Sequence, residues 1–204
     1  NHTPVHLGIP GRHNVMNALA AATVAMRYGM APETVARILA SQHTISPHRM
    51  ALSTVNREGT SFTLIDDSFN ANPDSMKAGL NGLKAWNSND GKEPFRVALL
   101  GAMLELGADE TALHTSIGTY ADELGIDAII AVGSAQDQHL DALAQALADG
   151  ARQSQSASVD CVHDIDAAEQ LVIDLARNHP DAVVLLKGSH ASGLSALAER
   201  WAKN

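Results

Sequence analysis

The chain has 204 residues, 45% of them hydrophobic but only 3% aromatic, and its 23 acidic and 14 basic side chains leave a formal net charge of -9. So acidic a chain has no general attraction for nucleic-acid phosphates or anionic lipid, and any phosphate it holds must meet a local arrangement of donors. No apolar run approaches the roughly 20 residues that cross a bilayer, and no basic-then-apolar signal pattern opens the chain, so the sequence predicts a soluble, cytoplasmic protein.

The chain opens on Asn1 without the character of a domain start, and so reads as beginning inside a larger protein. Residues 15–30 form the first predicted helix, apolar on nearly every face and therefore expected to be buried, with Gly29 at the C-cap. A second helix follows at 32–41, with Pro32 in its first turn and Glu33 at the positive end of its dipole. Pro47 breaks the pattern, which places a boundary near residues 46–49. A hairpin comes next, with strands 51–55 and 61–66 about a turn at 56–59.

Helices and strands then alternate: helix 73–86, strand 96–100, helix 109–124, strand 128–132, helix 136–148, strand 159–162, helix 166–178, strand 182–186 and helix 192–201. Five strands with crossover helices imply an α/β fold with a mostly parallel, doubly wound sheet. The aliphatic composition suits helices packed closely on such a sheet. Two polar connections, 87–93 and 150–158, read as mobile. Cys161, the single cysteine, lies in an apolar strand run and reads as a buried thiol of a reduced compartment. The layout is a short helical remnant, 1–47, followed by an α/β domain, 48–204.

Ligands of an open α/β sheet bind beyond the carboxyl ends of its strands, where loops and helix N-termini converge. Those ends carry Asp66 to Asn72, Gly101 to Glu105, Gly133-Ser134 and Lys187-Gly188-Ser189-His190. The Lys-Gly-Ser run offers an anion a cation, a close backbone and a hydroxyl; equally, Gly188 makes a turn and Ser189 or Ser192 caps a helix. Asp67 reads either as a site carboxylate or as an Asx-turn or cap residue at the loop. Asn14 and Asn17 lie three apart, where Asn14 is an N-cap or the two carboxamides meet an adenine edge. Ten histidines supply no H-x-x-x-H pair on a helix with a third ligand nearby, so no metal site is expected within the chain. There is neither a G-x-G-x-x-G nor a G-x-x-x-x-G-K-S/T run.

The run Gly11-Arg12-His13-Asn14-x-x-Asn17-Ala18-Leu19-Ala20-Ala21-Ala22 resembles the helix near the end of the central ATPase domain of Mur ligases. His48-Arg49-Met50 resembles the junction where their C-terminal domain begins. Asp66-Asp67-Ser68-Phe69-Asn70-Ala71-Asn72-Pro73-Asp74-Ser75-Met76 is similar to the signature of the type that adds D-alanyl-D-alanine to UDP-N-acetylmuramoyl-tripeptide. Met103-x-Glu105-Leu106-Gly107, His114 and Lys187-Gly188-Ser189 follow in that type's order, and the resemblance spans essentially the whole chain.

The resemblance implies a Rossmann-like lid behind the tail of an ATPase domain, in a monomeric peptidoglycan-synthesis enzyme that uses ATP and Mg2+ and proceeds through an acyl phosphate. The phosphate-binding loop, the magnesium ligands and a carbamylated lysine are expected upstream of Asn1, so the chain is expected to be inactive alone. Carried over by position, Asn14 and Asn17 contact adenine, with His48 beside the nucleotide. Arg49 reaches the phosphates on closure, and Asp67 holds the ribose hydroxyls and helps the lid dock. Asn70, Asn72, Lys187, Ser189 and His190 are candidates for the dipeptide or peptide carboxylate. The chain departs from the family at Ala102, usually Asp, and at His190, usually Arg, which exchanges a permanent bidentate donor for one whose charge depends on pH. Competing readings are another Mur ligase, a folylpolyglutamate-type synthetase, or a non-catalytic α/β module that recruits a partner through the Lys187 edge.

Overall fold

The computed structural model describes residues 4–8, 12–42, 48–87, 93–153 and 157–203. Gly11, the expected break at Pro47 and the centres of both polar connections, 88–92 and 154–156, lie outside the described residues. The chain divides into two compact units, Asn1–Arg49 and Met50–Asn204.

The first unit holds α1 (Arg12–Arg27) and α2 (Pro32–Ser41). Gly29, at φ +89°, ends α1 in a Schellman arrangement, with Gly29 N–H donating to Met26 O at 3.0 Å and Met30 N–H to Ala25 O at 3.1 Å. The expectation that α1 is buried fails. Val15, Met16, Leu19, Val24 and Met26 are all exposed, because a unit with only two helices described cannot cover every face of an all-round apolar one.

The second unit contains β1 (Ala51–Arg57), β2 (Thr60–Asp67), α3 (Pro73–Lys84), β3 (Arg96–Gly101), α4 (Glu110–Glu123), β4 (Ala128–Val132), α5 (Gln138–Ala151), β5 (Ser158–Val162), α6 (Ile165–Asn178), β6 (Val183–Lys187) and α7 (Leu194–Trp201). One six-stranded sheet has the order β1-β2-β6-β3-β4-β5, with every pair parallel except the β1–β2 hairpin. Glu58 and Gly59 turn that hairpin with φ of +47° and +78°, as a two-residue turn of primed type requires.

Period-two alternation sends neighbouring strand residues to opposite helical layers. Ile65, Ala98, Leu100, Ile129 and Leu185 pack with α3, α4 and α5, while Leu64, Val97, Leu99, Ile130 and Leu186 pack with α6 and α7. Element boundaries of this unit fall within about three residues of expectation, and three of the differences show their local structure. Helix α5 starts at Gln138 because the Asp137 carboxylate caps it, accepting from the His139 and Leu140 amides. The segment expected to open α4 begins with a short 3-10 turn at Gly107–Asp109. The last helix starts at Leu194, after the 3-10 turn His190–Ser192 and Gly193 at φ +75°. Among the described residues no helix is long and apolar enough to cross a membrane.

Candidate functional site

Strand β6 enters between β2 and β3, and its register places Lys187 opposite Asp67 on one side and Leu100 on the other. The carboxyl ends of β2, β6 and β3 are therefore side by side, where a doubly wound sheet binds its ligands. Strand alternation turns the Lys187 side chain towards α3, and its stem crosses Gly79, where an added Cβ would lie 3.2 Å from Lys187 Cδ.

The ammonium of Lys187 is spent inside the protein. Nζ lies 2.9 Å from Asp67 Oδ2 and donates to the carbonyls of Asn70 at 2.6 Å and Asp67 at 3.4 Å. The other carboxylate oxygen of Asp67 accepts the Met50 N–H at 3.3 Å. Asp67 is thus no Asx-turn residue; its neighbour Asp66 has that role, with Oδ1 accepting from Ser68 N at 3.2 Å and from Ser68 Oγ at 2.6 Å. Ser195 of α7 clamps the same loop from below by donating to Ser68 O at 2.7 Å. The loop is completed by Asn70, whose Oδ1 accepts the Ala71 N–H, and by Asn72, which caps α3. Asn72 Oδ1 accepts the Ser75 N–H at 2.8 Å and Ser75 Oγ accepts the Asn72 N–H at 3.0 Å, a reciprocal capping box. What the loop exposes is Phe69, Asn70 and Asn72 on a backbone fixed from three sides.

The turn after β6 packs against the end of β3. A Cβ on Gly188 would stand 2.6 Å from Ser192 Oγ and 3.0 Å from the Gly101 Cα, so only glycine fits. Ser189 N–H donates to Ala102 O at 2.9 Å, and Ser192 Oγ donates to Ser189 O at 2.6 Å. Neither serine caps α7 with its side chain, since the residue at that position is Gly193. Ser189 Oγ is buried and has no hydrogen-bond partner among the described residues, which makes it an orphaned polar atom at the carboxyl edge of the sheet. His190 is exposed beside it.

In the first unit Asn14 is buried and Asn17 exposed, and Asn17 Nδ2 donates to Asn14 Oδ1 at 3.4 Å. The alternative in which Asn14 is the N-cap is corrected: α1 starts at Arg12, so both carboxamides lie inside its first turns. His48 and Met50 flank the exposed Arg49 with φ of +60° and +50°, a left-handed geometry unusual for residues with side chains.

Sequence reasoning passed over several residues that build the site. Gly79 reads as an ordinary weak point of a helix, yet it makes room for Lys187. Ser68 and Ser195 are separated by 127 residues, so their contact has no local signal. Two hollows of about 230 Å3 lie instead at the amino ends of the strands, one beside Phe62 and Trp86 and one beside Phe95 and His179, away from the glycine turns. Among the described residues no three His, Cys, Asp or Glu side chains converge as metal ligands.

Residues 48–190 match the family model "Mur ligase, glutamate ligase domain". The chain is 39% identical over 201 residues to a UDP-N-acetylmuramoyl-tripeptide–D-alanyl-D-alanine ligase of Mycobacterium tuberculosis, covering 96% of this chain and 39% of that relative. A crystal structure of MurF from Acinetobacter baumannii superposes with a TM-score of 0.78 at 27% identity, covering all of this chain and 42% of that one. The folylpolyglutamate synthase of Mycobacterium tuberculosis, at 19% identity and a TM-score of 0.63 with 100% and 43% covered, shares the fold alone. The chain spans well under half the length of the relatives it matches, and with its glycine-lined carboxyl edge it belongs to the Mur ligase family.

Proposed function

We propose that the chain is the C-terminal portion of an ATP-dependent ligase that joins D-alanyl-D-alanine to UDP-N-acetylmuramoyl-tripeptide through an acyl phosphate, in the cytoplasm. The observation that carries the reading is the loop Asp67 to Asn72, fixed by Lys187 and bearing the Asn-Ala-Asn-Pro run, beside a glycine turn with an orphaned serine hydroxyl. Relatives known as UDP-N-acetylmuramoyl-tripeptide–D-alanyl-D-alanine ligases, matching nearly the whole chain, support it.

The residues suit a nucleotide. An adenine edge needs one donor and one acceptor, which a carboxamide such as Asn17 supplies, and Arg49 is an exposed guanidinium suited to phosphate oxygens. In the full-length ligase ATP would supply phosphoryl activation of a carboxylate. His48 belongs beside the nucleotide, and Asp67, which already orients Met50 and Lys187, would exchange part of that bonding for ribose hydroxyls. The proposal assigns the phosphate cradle and the Mg2+ ligands to other parts of the ligase.

The geometry changes the part proposed for two substrate candidates. Lys187 and Asn72 are committed to shaping the loop, so direct contact with the dipeptide falls to Asn70, Ser189 and His190. The chemistry asked of these groups is positioning and charge stabilisation rather than covalent catalysis.

The test is phosphate release by the full-length protein with ATP, Mg2+ and UDP-N-acetylmuramoyl-tripeptide. D-alanyl-D-alanine should stimulate release, whereas D-alanine, L-alanine or L-glutamate alone should not. Stimulation by a single amino acid would assign the chain to another member of the family.

A further inference from the structure

His114 of α4 has no exposed surface and lies behind the turn that follows β3. Its Nδ1 is 2.7 Å from the Glu110 carbonyl oxygen, which only accepts, so Nδ1 carries the hydrogen. Its Nε2 is 2.8 Å from the Met103 backbone N–H, which only donates, so Nε2 is the bare acceptor. Two backbone partners thus fix one neutral tautomer. The residue before Met103 is Ala102, whose carbonyl accepts the Ser189 N–H at 2.9 Å. A continuous line of contacts therefore runs from α4 through the β3 turn to the turn after β6, ending at the residue whose hydroxyl is orphaned at the carboxyl edge of the sheet.

We propose that His114 is a positioning residue that, as a neutral imidazole acting through Met103 and Ala102, sets the Lys187-Gly188-Ser189 turn for the dipeptide. The proposal rests on the reading of this edge as the acceptor site of a ligase.

Protonation would place an N–H at Nε2 against the Met103 N–H, two donors facing each other, and the β3 turn would have to move. Burial is the largest influence on His114 and holds its pKa below the usual histidine value; the Glu110 carbonyl and carboxylate oppose that and His139 of α5 adds to it. His139 Nε2 and Glu110 Oε1 are themselves 3.3 Å apart, and the charged residue of the β3 turn, Glu105, is exposed at φ +62°. The turn is thus seated at neutral pH and released by acid.

Nitrogen-15 NMR of this chain between pH 8 and 5 tests the coupling. The Met103 and Ser189 amides should shift together with the His114 ring, at a midpoint below the usual histidine value. His114→Gln, whose carboxamide oxygen supplies an acceptor in place of Nε2, should keep both amides near their pH 8 positions throughout. A Ser189 amide that ignores the titration of His114 overturns the proposal.

In the full-length ligase His114→Ala should raise KM for D-alanyl-D-alanine about tenfold, the scale of one lost hydrogen bond, and leave KM for ATP within about twofold. His114→Gln should restore KM and remove the acid limb of its pH profile. An unchanged dipeptide KM in folded His114→Ala enzyme overturns the positioning role alone, whereas a wild-type enzyme that ligates no dipeptide overturns the functional reading instead.

Discussion

Lys187 has almost no exposed side-chain surface, and a charge taken out of water needs a partner of opposite sign and a full set of acceptors. It has both, in Asp67 and the carbonyls of Asn70 and Asp67, so removing one partner leaves the other charge buried without its counterion. Lys187→Met, which keeps the stem over Gly79, should therefore lower stability by about 3 kcal/mol, the usual cost of breaking a buried pair. Adding Asp67→Asn should recover part of the loss, because the stranded carboxylate is gone. Urea unfolding of the two variants checks this, and a double variant less stable than Lys187→Met would mean that Asp67 is held mainly by Met50. The neutral His114 adds a pH dependence of its own. Its pKa is depressed in the fold, so between that value and the ordinary value near 6.5 the unfolded chain binds the extra proton. Its contribution is fully present above about pH 6.5 and declines as pH falls towards the folded value. Unfolding midpoints from pH 8 to 5 should fall more steeply below about 6.5 in the wild type than in His114→Gln.

Helices α4 and α5 meet at two glycines. A Cβ on Gly118 would stand 1.9 Å from the Leu147 carbonyl oxygen, and one on Gly150 would stand 2.0 Å from that of Thr115. Backbone cannot rotate away as a side chain can, so Gly118→Ala should cost at least about 3 kcal/mol despite the better helix propensity of alanine. Gly82 of α3 has only Met50 Cε near its would-be Cβ, at 3.5 Å, an ordinary contact. Gly82→Ala should therefore stabilise by up to about 1 kcal/mol, giving two helical glycines effects of opposite sign in a thermal unfolding assay. This distinction cannot be read from the sequence, where each glycine is a break in a helical pattern. What could be read was local. Apolar runs ending in glycine or polar residues marked the strand ends at 66–67, 101, 133 and 187, and these ends are where the structure brings candidate residues together. The order of the strands was not legible, because Val183-Val184-Leu185-Leu186 is buried on both faces and carries no sign of its neighbours. The part played by Lys187 was hidden for the same reason, since its partners lie 117 and 120 residues upstream.

The two units differ in how completely they bury their apolar surface, and this sets the behaviour of the chain as a whole. Residues 50–204 enclose two cores, one on each face of the sheet, with buried residues from every helix of the unit. In the first unit Val35 is buried, but Val15, Met16, Leu19, Val24, Met26 and Ile38 face water. An apolar helix face of that kind favours association with any similar face, and the similar face always available is another copy of the same chain. Sedimentation velocity should therefore find the 204-residue chain partly associated at concentrations where a variant of residues 50–204 is monomeric. Met16→Glu with Leu19→Lys should return the longer chain towards monomer without changing the melting of the α/β unit. The sequence also bears on ligand binding. No G-x-x-x-x-G-K-S/T run occurs in the sequence, so the chain offers a nucleotide no phosphate-binding loop of that kind. Calorimetry with ATP should give a dissociation constant well above the low micromolar range, with no hydrolysis. Binding in that range would require phosphate contacts supplied by this chain, with the Lys187 turn as the place to seek them. Lys187→Met would then abolish the affinity, whereas a weak affinity of wild-type chain should barely change.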